Sequence, residues 1–570
     1  MGVNAASLKP PFVAVRTRNS YPLLTTIFNP LMHPAVQTLK NHIRVEHVIF
    51  ATLLLAILLR FAFLDLKLFH HDEAIHAWFS YQLLTTGNYL YDPVYHGPFL
   101  YYITASMFAV FGDSDLVGRI LPAIAGCALI PLVYWLYRLR YLTGKVAVIA
   151  ALFLAIAPEL VYFSRFLRND IFVVFFSLLL VAAFLAWLDK EKWYYLALAA
   201  AAGALGMCSK ENMPLILVTF GIFFLYLLWT RKITLPEKWI RDLIIAVIIF
   251  FGIIFTMYSS FWTHPEMILQ AGPLAIEHWL AMHNEQRIAG PPVFYLLMFI
   301  LYELPILLLA LAGVILFLVT GKKRISEKSG EQKSEDQEPE VQEPKKSSLF
   351  ASFFRRPSAP VFIDRKKEFM RFAVYWMLIA CLTYAYIGEK VPWLSLHQLV
   401  PMIFVAAFAL TFAGKYWKIL LAVCAVLLFA MTCYAAYTPA DIAEPIIQVQ
   451  NSEDLVPLMA AIDTSDKIAL ATDQAWPFMW YYRGDAWDIF TYYGGKKDSS
   501  TLLAGDFDII ITHDDESYES LAGYTKETIR LNYWLDCPGT GEDPGWIAYY
   551  FTRAGKIGSY NFDVFTRSPV

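Results

Sequence analysis

His70-His71-Asp72-Glu73-Ala74-Ile75-His76-Ala77-Trp78 sets two adjacent carboxylates among three imidazoles. The run follows closely on an apolar stretch, 48–64, broken only by Arg60 near its end. Ionisable groups at the mouth of a membrane helix are costly to place unless they do chemistry or bind something. Asp72, with Glu73 beside it, is a candidate general base for a hydroxyl, and the two together are a candidate ligand pair for a divalent cation such as Mg or Mn. The plain alternative is a solvated loop start, against which the flanking His71, His76 and Trp78 argue. His71 and His76 are five residues apart, which excludes the zinc-protease pattern His-Glu-x-x-His.

Three further clusters have the residue types to hold an anion. Arg165 and Arg168-Asn169-Asp170 offer planar guanidinium forks of the kind that suit phosphate. Asp170 equally serves as a helix cap. Glu389-Lys390-Val391-Pro392-Trp393 adds a third basic group and an interfacial aromatic, although a lysine there also snorkels for no other reason than solvation. Tyr95-His96-Gly97-Pro98 is a fourth polar turn. His264, His278 and His283 read as ordinary loop histidines. Glu303, in Tyr302-Glu303-Leu304-Pro305, is the one acidic group expected deep in an apolar run; it either pairs with an outer basic residue or lines the site. Pro305 frees a backbone carbonyl and is expected to kink its helix.

The elements that must carry these residues are membrane helices. The chain has 570 residues, 58% hydrophobic and 17% charged, with a mean hydropathy of +0.47; soluble domains hold roughly 25% charged residues. The net charge of −3 gives no reason to expect nucleic acid as a partner. Spans of about 20 apolar residues are expected at 46–64, 116–137, 145–163, 170–188, 193–208, 212–230, 242–261, 293–319, 370–388, 396–413 and 417–437. The stretch 97–112 is too short and suits an interfacial or re-entrant segment. With it not crossing, the basic loops at Arg138/Arg140/Lys145, Lys190/Lys192, Arg231/Lys232/Lys238/Arg241, Lys322/Lys323/Arg324 and Lys415/Lys418 all fall on one side. The expectation is a multi-pass plasma-membrane protein with a cytoplasmic N-terminus, and the polar clusters above gather on the outer face. A transport path would instead place ionisable groups near the midplane.

The domain reading is a cytoplasmic segment 1–45, a membrane core 46–320, a charged disordered linker 321–369, further spans 370–438 and an extracytoplasmic α/β domain 439–570. In that last domain Lys467–Thr472, Asp508–Thr512 and Trp546–Phe551 read as buried strands. Its aromatics (Trp476, Trp480, Tyr481, Tyr482, Trp487, Tyr492, Tyr493) fill a core or an interface more readily than they form a sugar platform. The six cysteines are scattered singly, so neither a disulfide framework nor a metal site is implied.

The acidic pair in the first outer loop, the interfacial segments after it, the Arg-containing turn before Asp170 and the Lys-x-Pro-aromatic turn at Lys390 together resemble the GT-C superfamily of membrane glycosyltransferases. Within it the chain is similar to the protein O-mannosyltransferase and aminoarabinose transferase branch. His71-Asp72-Glu73-Ala74, Tyr95-His96-Gly97-Pro98 and Gly388–Leu394 further resemble an archaeal group associated with flipping of lipid-linked sugars. The resemblance covers about 40–440. It implies a polyprenyl (dolichyl) phosphate sugar donor, a protein or lipid-linked glycan acceptor on the outer face of an archaeal cell surface, and a catalytic role for Asp72. Where the family often carries Lys-Pro-Pro, this chain has His96-Gly97-Pro98, so Arg165, Arg168 or Lys390 must take more of the phosphate. The expected activity is hexosyl transfer; the alternatives are a lipid-linked sugar flippase and a non-catalytic relative that binds the same lipid.

Overall fold

The computed structural model describes residues 44–285, 290–331, 364–439, 441–536 and 545–568. The expected cytoplasmic segment (but for 44 and 45), positions 332–363 of the expected linker, Arg287 and Cys537 lie outside the described residues, as do the side chains of His283, Glu285 and the three basic residues at 322–324. Contacts divide the chain into Met1–Val48 and Ile49–Val570; apart from the first residues of one helix, everything below belongs to the second.

Every expected apolar run is helical. In chain order the helices are α1 (Val45–Phe61), α2 (His71–Thr86), α3 (Phe99–Phe111), α4 (Asp115–Arg138), α5 (Gly144–Ile156), α6 (Pro158–Ser164), α7 (Asp170–Lys190), α8 (Trp193–Met207), α9 (Met213–Trp229), α10 (Trp239–Tyr258), α11 (Met267–Glu285), α12 (Phe294–Tyr302), α13 (Leu304–Glu331), α14 (Arg365–Tyr386), α15 (Leu396–Leu410) and α16 (Trp417–Tyr437). Among the described residues six helices are long and apolar enough to cross a membrane, and two bent pairs raise that to eight. Helix α3 has 13 residues, short of a span, and lies with α2 in the loop between α1 and α4. Helix α13 runs to Glu331, into the stretch read as linker.

The two bends have one cause and one remedy. Proline lacks the amide that would reach back to residue i−4, and its ring clashes with that carbonyl. At Pro158 the chain turns 56° between α5 and α6, and the freed Leu154 carbonyl accepts from Arg60 at 2.9 Å. At Pro305 it turns 114° between α12 and α13, so the kink expected in the run 293–319 is a sharp break between two helices. There the freed Leu301 carbonyl accepts from Arg553, at 2.8 Å. Buried polar backbone groups in an apolar layer must be satisfied internally, and in both places an arginine from elsewhere in the chain does it.

The C-terminal domain is built on a six-stranded sheet in the order β1-β5-β6-β4-β2-β3: β1 (Gln450–Asn451), β2 (Ile468–Ala471), β3 (Phe490–Tyr492), β4 (Ile509–His513), β5 (Tyr524–Leu535) and β6 (Ile557–Arg567). The strands β4, β2 and β3 are parallel and the other pairs antiparallel. Ile468, Leu470, Ile509 and Ile511 pack on one face and Ala469, Ala471 and Ile510 on the other. Burial on both faces explains why these strands read as continuous apolar runs. The third expected strand is instead a helix, Trp546–Thr552. Tyr549 is its buried residue while Ile547 and Phe551 are exposed, and periodicity cannot separate a short apolar helix from a strand.

The aromatics of this domain seat it on the membrane core. The Trp480 indole and Tyr481 hydroxyl both donate to Asp115 at 2.7 Å, and the Tyr481 oxygen accepts the Phe69 amide at 2.8 Å. Trp480 is fully buried between Phe69 and Phe108. The C-terminal domain is thereby fastened to the loop that leads into Asp72.

Candidate active site

Helix α2 begins on a reciprocal cap. The Asp72 amide donates to His70 Nδ1 at 3.0 Å and the His70 amide to Glu73 Oε2 at 3.0 Å, an arrangement that satisfies two orphan donors of the first turn. His70 Nε2 meets the Gln448 carbonyl, so the proton sits on Nε2 and Nδ1 is the acceptor. Burial pushes the His70 pKa down to about 4, which keeps that tautomer neutral.

The cap sends the two carboxylates to different places. Successive side chains on a helix diverge by about 100°. Glu73 points inward, is fully buried, and accepts from Arg119 Nε and Nη2 at 2.8 and 2.6 Å and from the Leu167 amide at 2.7 Å. Both its oxygens are taken by structural partners, so it is not the catalytic neighbour expected. Asp72 lines a cavity of about 490 Å³ and is paired with Arg168. Burial would raise its carboxyl, but the Arg168 guanidinium holds it well below the usual carboxylate range. Asp72 is therefore ionised.

The expected cations separate in the same way. Arg168 lines the cavity and its guanidinium lies 3.7 Å from the centroid of the Trp393 ring. Trp393, a residue of the same cavity wall, is held by Phe166 on its other side. Arg165 is elsewhere: its guanidinium donates to the carbonyls of Arg60 at 3.0 Å, Ala62 at 2.7 Å and Phe63, closing the C-terminus of α1. Lys390 likewise caps α14, donating to the carbonyls of Tyr384 at 2.9 Å, Ala385 at 3.0 Å and Ile387. Cations at helix C-termini satisfy the orphan carbonyls and the negative end of the dipole. Neither of these two lines the cavity, while Glu389, Val391 and Trp393 around Lys390 do.

The second cavity cation is Lys210. It stands in the turn between α8 and α9, is buried, and donates to both Asp170 oxygens at 2.8 and 2.9 Å. Asp170 also meets His397 at 3.2 Å and lies 3.7 Å from Arg168. Asp170 thus orients two cations rather than merely capping α7. Next to Lys210, Glu211 accepts from His96 Nδ1 at 2.9 Å and from the Tyr91 hydroxyl at 3.1 Å. His76 bonds Tyr101, 2.8 Å away, whose own hydroxyl donates to the Tyr95 carbonyl at 2.6 Å. That leaves the proton on His76 Nδ1 and makes Nε2 its free basic nitrogen. Burial and Arg168 keep His76 neutral. His71, His76 and His96 all line the cavity. Glu303 does not: it is buried and its Oε1 accepts the Glu159 amide at 3.0 Å, at the meeting of the two helix breaks.

Lys210, Glu211 and Asn212 form a polar triplet between two apolar runs, so a sequence signal existed for them. None existed for Gln448 and Val449, which enter the cavity wall from the start of the C-terminal domain.

Residues 95–255 match the family model described as dolichyl-phosphate-mannose-protein mannosyltransferase; the match takes in Arg168, Asp170 and Lys210 and begins after Asp72. Among solved structures, ArnT from Cupriavidus metallidurans bound to undecaprenyl phosphate is similar with a TM-score of 0.55 at 13% identity, over 91% of this chain and 99% of that one. Its apo state gives a TM-score of 0.53 at 13% identity, with the same coverage. The apo oligosaccharyltransferase of Archaeoglobus fulgidus gives 0.47 at 12% identity, over 82% of this chain and 69% of that one. No curated protein sequence matches the chain. The ArnT likeness shows the fold: this is a multi-pass membrane protein that shares the architecture of that structure and carries a C-terminal sheet domain.

Proposed function

We propose that the protein transfers a sugar from a polyprenyl phosphate donor to an acceptor hydroxyl, on the outer face of the plasma membrane. One observation carries this reading: a single cavity holds an ionised carboxylate, Asp72, against two buried cations, Arg168 and Lys210. That is the set needed to deprotonate a hydroxyl beside a departing phosphate. The family match and the ArnT fold supply the donor class, since the ArnT structure contains undecaprenyl phosphate. A cavity of this size lies within the range of about 300–1,000 Å³ usual for small-ligand sites.

The reaction is a single displacement at the anomeric carbon. The acceptor oxygen forms the new bond to carbon, its proton passes to Asp72, and the carbon–oxygen bond to phosphate breaks. The lipid phosphate leaves with the electron pair, its charge met by Arg168 and Lys210. Asp72 paired with Arg168 is a weak base. A donor phosphate competing for Arg168 would loosen that pair and raise the basicity of Asp72 at the moment the donor is seated. Asp170 keeps Lys210 and Arg168 aimed without moving. Of the two carboxylates expected as a ligand pair for a divalent cation, Asp72 lines the cavity, while both Glu73 oxygens are committed to Arg119 and the Leu167 amide. The orientation proposed is N-terminus inside and C-terminal domain outside, from the basic loops.

The test uses purified full-length protein with a panel of polyprenyl-phosphate sugars, reading release of the free lipid phosphate. Asp72→Asn should lower that release by about 10²–10⁴-fold and leave donor binding intact. Near-normal turnover of Asp72→Asn overturns the assignment of the base. Binding without release from any donor, in the unsubstituted protein, would favour the flippase or binding-only alternative.

A further inference from the structure

The segment 448–451 crosses from the last span into the C-terminal domain along the mouth of the Asp72 cavity. It is stitched to residues 68–71 at every step. The Gln448 carbonyl meets His70 Nε2, and the Val449 carbonyl accepts the His71 amide at 3.4 Å. The Gln450 side chain donates to the Leu68 carbonyl at 3.0 Å and that of Asn451 to the Phe69 carbonyl at 2.6 Å. Upstream, Ile446 and Ile447 are buried. Within this clamp Val449 has φ of +55°, a left-handed conformation that is an outlier for a β-branched residue. Such backbone persists only when its surroundings over-determine it, and it clusters where ligands are held. Next to it, the Gln448 side chain lines the cavity with its amide oxygen buried and without a hydrogen-bond partner. A buried acceptor left unpaired is unfavourable, and nothing among the described residues answers this one.

We infer that Gln448 is a specificity-determining residue that binds a hydroxyl of the substrate, so that the C-terminal domain completes the site rather than merely standing beside it. The inference rests on the transferase reading above and deepens it. The ligand chemistry follows from the neighbours. An amide oxygen in the cavity that holds the Asp72 carboxylate repels phosphate oxygens and calls for a proton donor. A hydroxyl both donates and accepts, so it also satisfies the amide turned the other way. Two sources carry such a group: the sugar being transferred and the acceptor. Gln448 lines the same cavity as Asp72 and His71.

The full-length protein with Gln448→Met, which keeps the shape and loses the polar atoms, tests this by binding to three probes. Dolichyl phosphate alone should bind as it does to the unsubstituted protein. One of the two hydroxyl-bearing probes, dolichyl phosphate mannose or methyl mannoside, should lose about 3–10-fold in affinity, the usual yield of one neutral hydrogen bond. Loss on dolichyl phosphate mannose assigns the hydroxyl to the transferred sugar; loss on methyl mannoside assigns it to the acceptor. Equal loss on all three probes, with a lowered melting temperature, would show a structural role and overturn the inference. So would no loss on any. If Gln448→Met does not accumulate, Gln448→Asn, which withdraws the amide by one methylene, replaces it with the same expectations. These arms read binding, so they stand apart from the transferase reading: hydroxyl recognition without sugar release sinks only the latter.

Discussion

Three basic residues, Arg165, Arg168 and Lys390, were expected to meet phosphate; the structure adds Lys210, and the hydrogen bonds divide the four. Arg168 and Lys210 are buried against the cavity and paired with carboxylates that a phosphate could displace or share. Arg165 and Lys390 spend their protons on backbone carbonyls at the ends of α1 and α14. Replacing Arg168 or Lys210 with Gln should therefore raise the donor dissociation constant by about ten-fold or more, since a charge-assisted hydrogen bond is worth roughly 1.5–3 kcal/mol. The two changes should be non-additive if both cations touch one phosphate. Arg165→Gln and Lys390→Gln should lower the melting temperature and leave donor affinity alone. Donor titrations and melting curves on all four variants check this; donor weakening by Lys390→Gln would restore it to the site. At this scale the sequence showed which types of residue were present, and it located Asp72. It did not show direction. Asp72 and Glu73 are neighbours in sequence, yet one faces a cavity and the other a buried arginine, because about 100° of helical rotation separates them and only tertiary packing decides which side is the cavity.

The elements that carry these residues were more legible than their bends. Eleven apolar runs are eleven helical regions, because about 20 apolar residues leave little other choice. The proline breaks were visible as proline, and the kink at Pro305 was expected. Its size, and the group that makes it tolerable, were not, because Arg553 lies 248 positions after Pro305 and belongs to another domain. Arg553 donates to the Leu301 carbonyl at 2.8 Å and to the fully buried Glu444 at 3.1 Å. Glu444 also accepts from the Tyr302 hydroxyl at 2.5 Å. Arg553→Leu would strand both an orphan carbonyl and most of the charge on Glu444. Breaking a buried pair by removing one partner costs about 3–5 kcal/mol, so this variant should melt well below the parent. Arg553→Lys, which keeps the charge but lacks the fork, should fall between them. A melting temperature unchanged in Arg553→Leu would mean that the bend between α12 and α13 holds without the C-terminal domain.

Over the whole chain the polar groups sort by helix end. At one end lie Asp72, Arg168, Lys210 and the cavity. At the other, Arg365 pairs with Asp189 at 2.7 Å and Lys232 with Glu368 at 3.0 Å, tying together the ends of α7, α9 and α14. Helix α7 runs the full way, from Asp170 beside Lys210 to Asp189 beside Arg365. Loops rich in Lys and Arg favour the cytoplasmic side; the orientation proposed above accordingly takes the Arg365 end as the inner one and the cavity and C-terminal domain as outside. The prediction is that single cysteines at Ser500, on the exposed surface of the C-terminal domain, and at Thr230, exposed at the end of α9, react with a membrane-impermeant thiol reagent from opposite sides. Cys537 is replaced by Ser in the background; of the other cysteines, Cys127, Cys208 and Cys424 are buried and Cys381 and Cys433 lie in helices α14 and α16. In intact cells Ser500→Cys should label and Thr230→Cys should label only after permeabilisation. The reverse pattern would put the cavity on the cytoplasmic face, and a donor flipped to the outside could not reach Asp72. Labelling of both from one side would mean an even number of crossings between α9 and the C-terminal domain. The bent pair α12–α13 would then be a re-entrant hairpin instead of a broken span, since it is the element in that interval whose 114° turn allows either course.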